Sequence, residues 1–338
     1  MLLHFKPSGP KTGRVLVFLG MVSMAILSFY IAAMVRGGGE EVQLLRAHTA
    51  NVMSVGFTQD GRGVVTAGLD GTIRLWDRDS ETWTRNIVGD ERGLRYVSVS
   101  PNGRQVLSGG YDQKVRLWDI DTEELIVELG SHDSPIYCVA IAPSGEIGVS
   151  GGRNHQIVAW DLTNRKSLWT YGKDAPSIGT VYSVAFSPDG AEVAAGCESG
   201  AIHFIDLETG TRVDTLNDHP VAVMCVIYSH DGRYVFTSGS TNTIWMWERK
   251  SKKLIREFVG HLGSIRTMSV SHDGKRLISG SFDRTVRFWD VESGELIQVL
   301  QTNEEAVYSV ALSPDGKTGL VGGYDGNVRV WNVAKTPE

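Results

Sequence analysis

Two residue types recur at a fixed spacing after residue 40, and this repeat constrains the fold more than any other feature of the chain. A tryptophan, replaced once by isoleucine, closes a short apolar run at positions 76, 118, 160, 205, 247, 289 and 331. A glycine in turns such as SPDG recurs at positions 61, 103, 145, 190, 232, 274 and 316. Both series advance by 42, 42, 45, 42, 42 and 42 residues, so the chain contains seven units in register.

Each unit contains four short runs of β-branched and apolar residues, separated by Gly, Asp, Asn and Ser turns. In the first unit these runs are VMSVGF, GVVTAG, TIRLW and TWTRNIV. Runs of this length and composition are typical of β-strands. Seven units of four strands therefore predict an all-β protein in which small sheets are arranged radially.

The repeated units resemble the WD40 repeat family. Three marks carry the resemblance: a histidine before the first strand, an aspartate in the turn before the tryptophan strand, and W-D ends at positions 76–77, 118–119, 160–161 and 289–290. The resemblance covers about residues 41 to 334. It implies a seven-bladed WD40-like β-propeller in which each unit forms one blade.

The resemblance also implies a structural tetrad of His, Ser or Thr, Asp and Trp, whose buried polar groups bond one another. The full tetrads would be His48, Thr66, Asp70 and Trp76 in blade 1, and His261, Ser279, Asp283 and Trp289 in blade 6. Blade 3 has His132, Ser150, Asn154 and Trp160. Blades 2, 5 and 7 have partial tetrads and blade 4 keeps almost none. Because a missing member costs stability, blade 4 is predicted to be the softest blade.

The last unit stops a few residues after Trp331 and lacks a fourth strand. Residues 41–48, EVQLLRAH, align with fourth strands such as KLIREFVGH. The resemblance therefore implies that an N-terminal strand at about 41–47 closes the ring by pairing with blade 7. Closure of this kind removes exposed sheet edges.

The chain before residue 41 has a different character. Residues 1–36 carry four basic residues and no acid, so the formal net charge of −6 combines +4 there with −10 in the remainder. Between Arg14 and Arg36, 21 uncharged residues could form a helix roughly 30 Å long, the hydrocarbon thickness of a bilayer. We predict a basic tail at 1–14, a transmembrane helix at 15–36, a Gly-rich linker at 37–40 and the propeller at 41–338. The alternatives are a cleaved signal peptide and a buried core helix.

The orientation of this single span rests on the charges beside it. Lys6, Lys11 and Arg14 precede the span, whereas Arg36 and Arg46 follow it near two glutamates. The positive charge favours a cytoplasmic N-terminus and an extracytoplasmic propeller, which is periplasmic if the source is bacterial. The margin is one or two charges, so a propeller on the cytoplasmic side stays open.

Charge and cysteine content argue against several classes of protein. An acidic propeller repels phosphate backbones, so no nucleic-acid partner is expected. Cys138, Cys197 and Cys225 lie far apart and form no C-x-x-C pair. Disulfide bonds and structural zinc are therefore not expected.

Sequence motifs typical of enzymes are explained by the repeat. Residues 148–152 match G-x-S-x-G, but Ser150 occupies the tetrad position inside a strand, and no helix follows. Residues 315–318 resemble the end of a P-loop, but Ala311 stands where that motif requires glycine. We therefore predict no catalytic residue, cofactor, metal site or small-molecule substrate.

Alignment of the blades predicts a binding surface at one end of the central channel. The resemblance implies that one residue per blade lies at the top opening, and that the residue before each turn Asp lies on the same top face. Eleven of these fourteen positions hold Tyr, Phe, Arg or Met: Met53, Arg95, Tyr111, Tyr137, Arg153, Tyr182, Met224, Arg266, Phe282, Tyr308 and Tyr324. Tyr, Arg and Met are enriched at protein interfaces, so we expect a protein or peptide to bind here. The alternative is that Met and Tyr merely fill the channel.

A second docking position is predicted on the side of the ring. Nine positions after each blade tryptophan the residues are mostly polar, which predicts a solvent-facing series in which Trp169 is out of place. Trp169 lies near Tyr171 and the loop 172–180, where the 45-residue step inserts three extra residues. We expect these two aromatic residues to be an exposed docking spot, with an isolated surface aromatic as the alternative.

These observations predict a non-enzymatic, membrane-anchored scaffold that mediates protein–protein interaction. Its partners would be proteins, chiefly integral membrane subunits of a larger complex, which it would assemble or stabilise, and residues 15–36 would contact the lipid bilayer. The small residues of that segment suit close helix packing. The alternatives are a tethered signalling adaptor and a ligand-binding or enzymatic propeller that uses the central channel.

Overall fold

The computed structural model describes residues 41–78, 82–173, 178–302 and 306–333, with side chains from residue 43 onward. These residues form 28 β-strands in seven four-stranded sheets. The predicted all-β, seven-bladed propeller is therefore confirmed. The described ranges contain no helix that is long and apolar enough to cross a membrane. The predicted tail, transmembrane helix and linker lie outside the described residues.

The strands follow one another along the chain, and the first of them belongs to the last blade. The first strand and blade 1 are β1 (Glu41–Leu45), β2 (Val52–Phe57), β3 (Gly63–Gly68), β4 (Thr72–Asp77) and β5 (Trp83–Val88). Blades 2 and 3 are β6 (Leu94–Val99), β7 (Gln105–Gly110), β8 (Lys114–Asp119), β9 (Leu125–Ser131), β10 (Ile136–Ile141), β11 (Ile147–Gly152), β12 (Ile157–Asp161) and β13 (Lys166–Tyr171). Blades 4 and 5 are β14 (Val181–Phe186), β15 (Glu192–Cys197), β16 (Ile202–Asp206), β17 (Arg212–Leu216), β18 (Val223–Tyr228), β19 (Tyr234–Gly239), β20 (Thr243–Glu248) and β21 (Leu254–Val259). Blades 6 and 7 add β22 (Ile265–Val270), β23 (Arg276–Ser281), β24 (Thr285–Asp290), β25 (Leu296–Gln301), β26 (Val307–Leu312), β27 (Thr318–Gly323) and β28 (Val328–Asn332).

Each blade is an antiparallel sheet, and the hydrophobic core lies between neighbouring blades. The first strands of adjacent blades contact one another around a central channel. One apolar cluster, for example, joins Ile73 and Ile87 of blade 1 to Leu94 and Trp118 of blade 2. Because both faces of every blade are covered in this way, the second strand of each blade is buried over at least five of its six residues rather than on alternate residues.

The ring is closed by β1, which pairs antiparallel with β28 and completes the four-stranded sheet of blade 7. Gln43 lies opposite Val330 and Leu45 lies opposite Val328. Leu45 is buried in the apolar cluster between blades 7 and 1. The chain therefore joins its first described strand to its last, so β28 is covered and β1 takes the outer position that the fourth strand takes in the other blades.

The seven repeat glycines are explained by backbone geometry. Each lies in the turn between the first and second strands of a blade, with φ between +65° and +78°. Side chains disfavour this left-handed conformation, whereas glycine adopts it freely. The glycine spacing therefore measures the spacing of the turns.

The tryptophan series is explained by one hydrogen bond that recurs within the blades. The indole Nε1 donates to a Ser or Thr hydroxyl of the neighbouring strand in five blades: Trp76 to Thr66, Trp118 to Ser108, Trp160 to Ser150, Trp247 to Thr237 and Trp289 to Ser279. The distances are 2.8–3.1 Å. A buried indole that lacked this acceptor would lose most of the benefit of its burial.

Three blades extend this bond into a four-residue network. In blade 1, His48 Nε2 lies 2.9 Å from the Thr66 hydroxyl and Nδ1 lies 2.9 Å from Asp70. In blade 6, His261 makes the same contacts with Ser279 and Asp283, both at 2.8 Å. Blade 3 uses His132 with Ser150 at 2.7 Å and Asn154 at 3.0 Å. The imidazole bonds hold the pKa of Asp70 and Asp283 well below the usual range despite their burial.

Blade 4 replaces this polar network by apolar packing. Ala195 stands at the Ser or Thr position and Ile205 at the Trp position, and both are fully buried in one cluster with Val193 and Cys197. Removing both partners of a buried hydrogen bond leaves no polar group unsatisfied. The prediction that blade 4 is softest assumed that loss of the network leaves buried polar groups unpaired. The described residues of β14 to β17 contain no orphaned side-chain atom, so this assumption does not hold there.

Orphaned tetrad atoms lie instead in blades 5 and 7. His219 Nε2 and Trp331 Nε1 are buried and have no hydrogen-bond partner among the described residues. For Trp331 the cause is visible in the register. Val321 lies opposite Arg329, as Thr66 lies opposite Arg74 in blade 1, so a valine occupies the place of the missing acceptor.

Replacing Val321 by threonine should therefore stabilise the protein. Val321→Thr supplies a hydroxyl of nearly the same shape beside the Trp331 indole, and we expect the free energy of unfolding to rise by about 1 kcal/mol. Chemical denaturation of the purified protein measures this free energy. The matched control is Val106→Thr, a buried valine of β7, which should lower that free energy by about 1–3 kcal/mol. Equal losses in both variants would contradict the prediction.

Candidate functional site

One β-bulge per blade forms the mouth of the central channel. In every blade the register between the first and second strands shifts after the first residue, which leaves the next residue as an extra one. These bulged residues are Met53, Arg95, Tyr137, Tyr182, Met224, Arg266 and Tyr308. A bulge re-aims the side chain it carries, and all seven line one cavity of about 60 Å³.

The residues before the turn Asp stand around this mouth, on the face that carries the turns between second and third strands. Tyr111 and Phe282 contact the bulged residues directly, as described below. Arg153 and Tyr324 are exposed, and within the described part of the chain neither forms a hydrogen bond or a ring contact with the bulged side chains. The structure thus brings nine of the eleven predicted top-face residues into one surface and leaves two outside it. We call the cavity and the nine residues the channel mouth.

One half of the channel mouth is organised around Arg95. Its guanidinium carbon lies 3.8 Å from the ring centroid of Tyr137, and Nη1 donates to the Tyr111 hydroxyl at 3.0 Å. Tyr137 is stacked on Tyr182, with centroids 5.9 Å apart and an interplanar angle of 13°. The three aromatic residues and the arginine therefore hold one another in fixed orientations.

The other half is organised around Arg266. Its guanidinium lies 5.4 Å from the ring of Tyr308 and 6.0 Å from that of Phe282. These two rings meet edge to face, with centroids 6.1 Å apart. Burial and the nearby positive charge of Arg95 lower the pKa of Arg266 to about 10. Arg266 therefore remains charged at neutral pH in a partly desolvated position.

Two residues of this face were not predicted. Tyr96 follows Arg95 and lines both the mouth cavity and a second cavity of about 300 Å³ next to it. The equivalent residues of the other blades are small: Ser54, Cys138, Ser183, Cys225, Thr267 and Ser309. Leu262 follows the tetrad histidine of blade 6, and its side chain is 86% exposed. The sequence signal for both was a large side chain at a repeat position that holds smaller residues elsewhere.

The predicted lateral docking spot is corrected by the structure. Trp169 is not an exposed side chain, because it is partly buried against blade 4 and its indole donates to the Leu207 carbonyl at 2.8 Å. The Tyr171 hydroxyl likewise lies 3.3 Å from Nδ1 of the buried His203. Both aromatic residues join blade 3 to blade 4, so we draw no docking site from them.

Two other residues at the repeat position of Trp169 also bond the next blade. At the equivalent positions, Arg85 donates to the Asp121 carbonyl at 2.5 Å and Arg256 donates to the Ser293 carbonyl at 2.6 Å. Each acceptor lies in the turn after the third strand of the next blade. The expectation that this series faces solvent is wrong for Trp169, which is partly buried, and for Gln298, which is buried. Arg85 and Arg256 stay partly exposed and bond the neighbouring blade.

The described residues offer little for covalent or metal chemistry. They contain no group of three or more His, Cys, Asp or Glu side chains that could hold a metal ion. Cys138, Cys197 and Cys225 are buried free thiols. Burial raises the pKa of Cys225 to about 11 and that of Cys197 to about 12, so these thiols stay protonated at neutral pH and are poor nucleophiles.

Fold and site together define a class: a seven-bladed β-propeller with Trp–Ser/Thr hydrogen bonds inside the blades and an aromatic, cationic mouth on one face. Comparison with known families gives the same result. The WD40 family model, described as WD domain, G-beta repeat, matches residues 39–77, 83–119, 123–161, 252–290 and 294–332, which is more than half of the chain. The chain belongs to the WD40 family, whose propellers generally act as protein-interaction scaffolds.

A second family model matches part of the interval between those repeats. The WD40 domain of anaphase-promoting complex subunit 4 is matched by residues 151–231. This range includes blade 4, where Ala195 and Ile205 replace the Ser or Thr and the Trp of the tetrad. The two matches together cover six blades and part of blade 5.

The histidine beside Tyr171 should make stability depend on pH. Burial, together with the positive charge of Arg212, lowers the pKa of His203 to about 4 from its ordinary 6.5. The unfolded chain therefore takes up this proton before the folded chain does, so stability is full above pH 6.5 and is lost as the pH falls toward 4. In the His203→Gln variant we expect the loss of unfolding free energy between pH 6.5 and pH 4 to be smaller by up to about 3 kcal/mol.

Denaturation curves at pH 7.5, 6.0, 5.0 and 4.5 measure this difference. His132, His219 and His261 also have lowered pKa values because of burial, so both proteins lose stability in acid. The contribution of His203 is the difference in slope between wild type and variant. Parallel plots of unfolding free energy against pH would contradict the assignment.

Proposed function

We propose that this protein is a non-enzymatic, membrane-anchored scaffold whose channel mouth binds a segment of a protein partner. One observation carries the proposal: seven bulges, one from each blade, aim Tyr, Arg and Met side chains, and no other type, at one opening. These residue types supply most of the binding energy at protein interfaces. A ring that needed only to fill its channel would not require two cations there.

The contacts within the mouth support binding by a preorganised surface. Arg95 packs on Tyr137, which stacks on Tyr182, and Phe282 meets Tyr308 edge to face. Side chains that already hold one another lose little conformational entropy when a partner arrives. The strands beneath them are tied by hydrogen bonds between blades, so the platform itself is stiff.

Exposed apolar groups around the mouth extend the surface. Phe282 is 42% exposed, Tyr324 is 55% exposed and Leu262 is 86% exposed. By topology all three lie on the face that carries the channel mouth. Exposed apolar side chains around a polar opening are typical of protein-binding sites.

The size of the mouth favours a protein partner over a small molecule. The cavity of about 60 Å³ is far smaller than the roughly 300–1,000 Å³ of small-molecule sites. The described side chains that line it include no histidine and no carboxylate to act as a general acid or base. An enzymatic or ligand-binding channel is therefore the weaker alternative.

The proposal includes a membrane anchor and an integral membrane partner. The 21 uncharged residues between Arg14 and Arg36 are long enough to span a bilayer, and only a short glycine-rich stretch separates them from β1. A scaffold tethered this closely meets membrane proteins first. The charges that flank the span favour an extracytoplasmic propeller.

Removing the aromatic residues of the mouth should abolish partner binding without unfolding the ring. In the triple variant Tyr137→Ala, Tyr182→Ala and Tyr308→Ala, we expect partner recovery to fall at least tenfold, because hot-spot aromatics each contribute roughly 2 kcal/mol or more. Quantitative mass spectrometry of proteins that co-purify with the full chain in mild detergent measures the recovery. The control triple variant removes apolar side chains exposed on outer strands: Leu125→Ala, Leu168→Ala and Val213→Ala. Equal recovery in wild type and the tyrosine variant would reject the channel mouth as the binding site.

The anchor can be tested independently of the partner. The full chain should stay with membranes after alkaline carbonate extraction, whereas a chain that begins at residue 37 should be released, because it lacks the apolar span. Fusion of alkaline phosphatase to the C-terminus should give active enzyme if the propeller is extracytoplasmic. Release of the full chain by carbonate would exclude an integral anchor, and an inactive fusion would reverse the orientation.

A further inference from the structure

Two cations face the same small cavity without a carboxylate between them. Arg95 on blade 2 and Arg266 on blade 6 both line the channel mouth. Neither forms an ion pair with a described Asp or Glu. Arg95 donates to the Tyr111 hydroxyl, while its Nε is buried without an acceptor in the described part of the chain. Arg266 lies over the rings of Tyr308 and Phe282, and no described carboxylate pairs with it.

Two unpaired charges so close together are unfavourable for the stability of the ring. Moving a charge out of water costs free energy unless an opposite charge or a full set of hydrogen bonds replaces the water. The two arginines also repel each other, and aromatic faces offset only part of the cost. The equivalent positions of the other blades hold Met or Tyr, so the fold does not require a cation at this place.

A hydroxyl group lies in the same cavity. Tyr96 is the large residue that reaches into the channel, and no described residue bonds its hydroxyl group. A tyrosine hydroxyl is protonated at neutral pH, so this group can donate a hydrogen bond. The lining of the cavity therefore supplies two guanidinium groups and the Tyr96 hydroxyl as donors.

We propose that the channel mouth binds one anionic group, a carboxylate or a phosphate, carried by the bound protein segment and held between Arg95 and Arg266. This inference rests on the proposed function, since it names the chemistry of the partner at that same site. Arginine suits such a site because its planar fork of donors matches the oxygens of both groups. The propeller as a whole is acidic, which disfavours extended polyanions such as nucleic acid and favours a single local anion.

Anion binding can be measured on the full chain without the partner. Thermal unfolding is followed at pH 7.5 with sodium phosphate or sodium acetate, each replaced by sodium chloride at equal ionic strength. We expect at least one anion to raise the unfolding temperature of the wild type in a saturable manner, because binding to the folded state alone stabilises it. Arg95→Met with Arg266→Met should remove this response. A response in phosphate alone points to a phosphorylated partner, and one in acetate points to an Asp, a Glu or a C-terminus.

The matched control is Arg153→Met, which removes an exposed arginine of the same face that lies outside the cavity. This variant should respond like the wild type. Equal responses of the wild type and the double variant to both anions, or no response in the wild type, would overturn the inference.

A second measurement separates binding from a structural task. If the function of Arg266 is to bind an anion, Arg266→Met should raise the unfolding temperature in chloride alone. The substitution removes a desolvated charge that has no ionic partner. A lower unfolding temperature would show that the arginine supports the fold, and would overturn its assignment to anion binding.

Partner recovery distinguishes this inference from the proposed function. Loss of the partner in both the arginine double variant and the tyrosine triple variant supports the proposed function and anion recognition alike. Loss in the tyrosine variant alone keeps the mouth as a protein-binding site and rejects anion recognition. Retention in both variants rejects the proposed function, while the anion titration still decides whether the mouth binds an anion.

Discussion

The pairing of β1 with β28 is the constraint on which the rest of the structure depends. It joins residues 41–45 to residues 328–331 and turns seven sheets into a closed ring. Closure buries Leu45 between the last blade and the first and completes the fourth strand of blade 7. It also fixes the seven first strands around one axis. Only in a closed ring do seven bulges aim their side chains at a common opening.

The fold could be predicted from the sequence because its two marks are direct requirements of geometry. The turn glycines have positive φ, and five blade tryptophans donate to a Ser or Thr hydroxyl, so the spacing of these residues reports the spacing of the blades. Seven of the nine mouth residues were predictable for the same reason, since each of the seven occupies one repeated bulge. The hydrogen bond of Trp169 could not be predicted. Its acceptor lies 38 residues away in the next blade, so the contact depends on how the two blades are arranged. The lack of carboxylates near Arg95 and Arg266 likewise becomes visible only in three dimensions.

The distribution of polar groups shows how the ring tolerates divergence of its blades. Blade 4 has replaced the Ser or Thr and the Trp of the tetrad by Ala195 and Ile205 and leaves no orphaned side-chain atom among the described residues of β14 to β17, whereas blade 7 keeps its Trp331 but has lost the acceptor. Complete replacement is less costly than partial loss. Blade 4 is further tied to blade 5 by Arg249, which donates two hydrogen bonds of 2.7 Å to Glu192. A degraded repeat motif alone therefore does not identify a weak blade. The contacts that replace the motif must also be known.

The position of the closing strand has a consequence for synthesis of the protein. The strand that completes blade 7 is made first, and its partner β28 is made almost last. At about 5–20 residues per second, the ribosome needs roughly 15–60 s to make the chain between them. During that time β1 has no strand to pair with, although blades that have already emerged can form their own sheets. The nascent chain thus exposes unpaired backbone at both ends of a growing arc, and this interval is when protection by a chaperone would matter most.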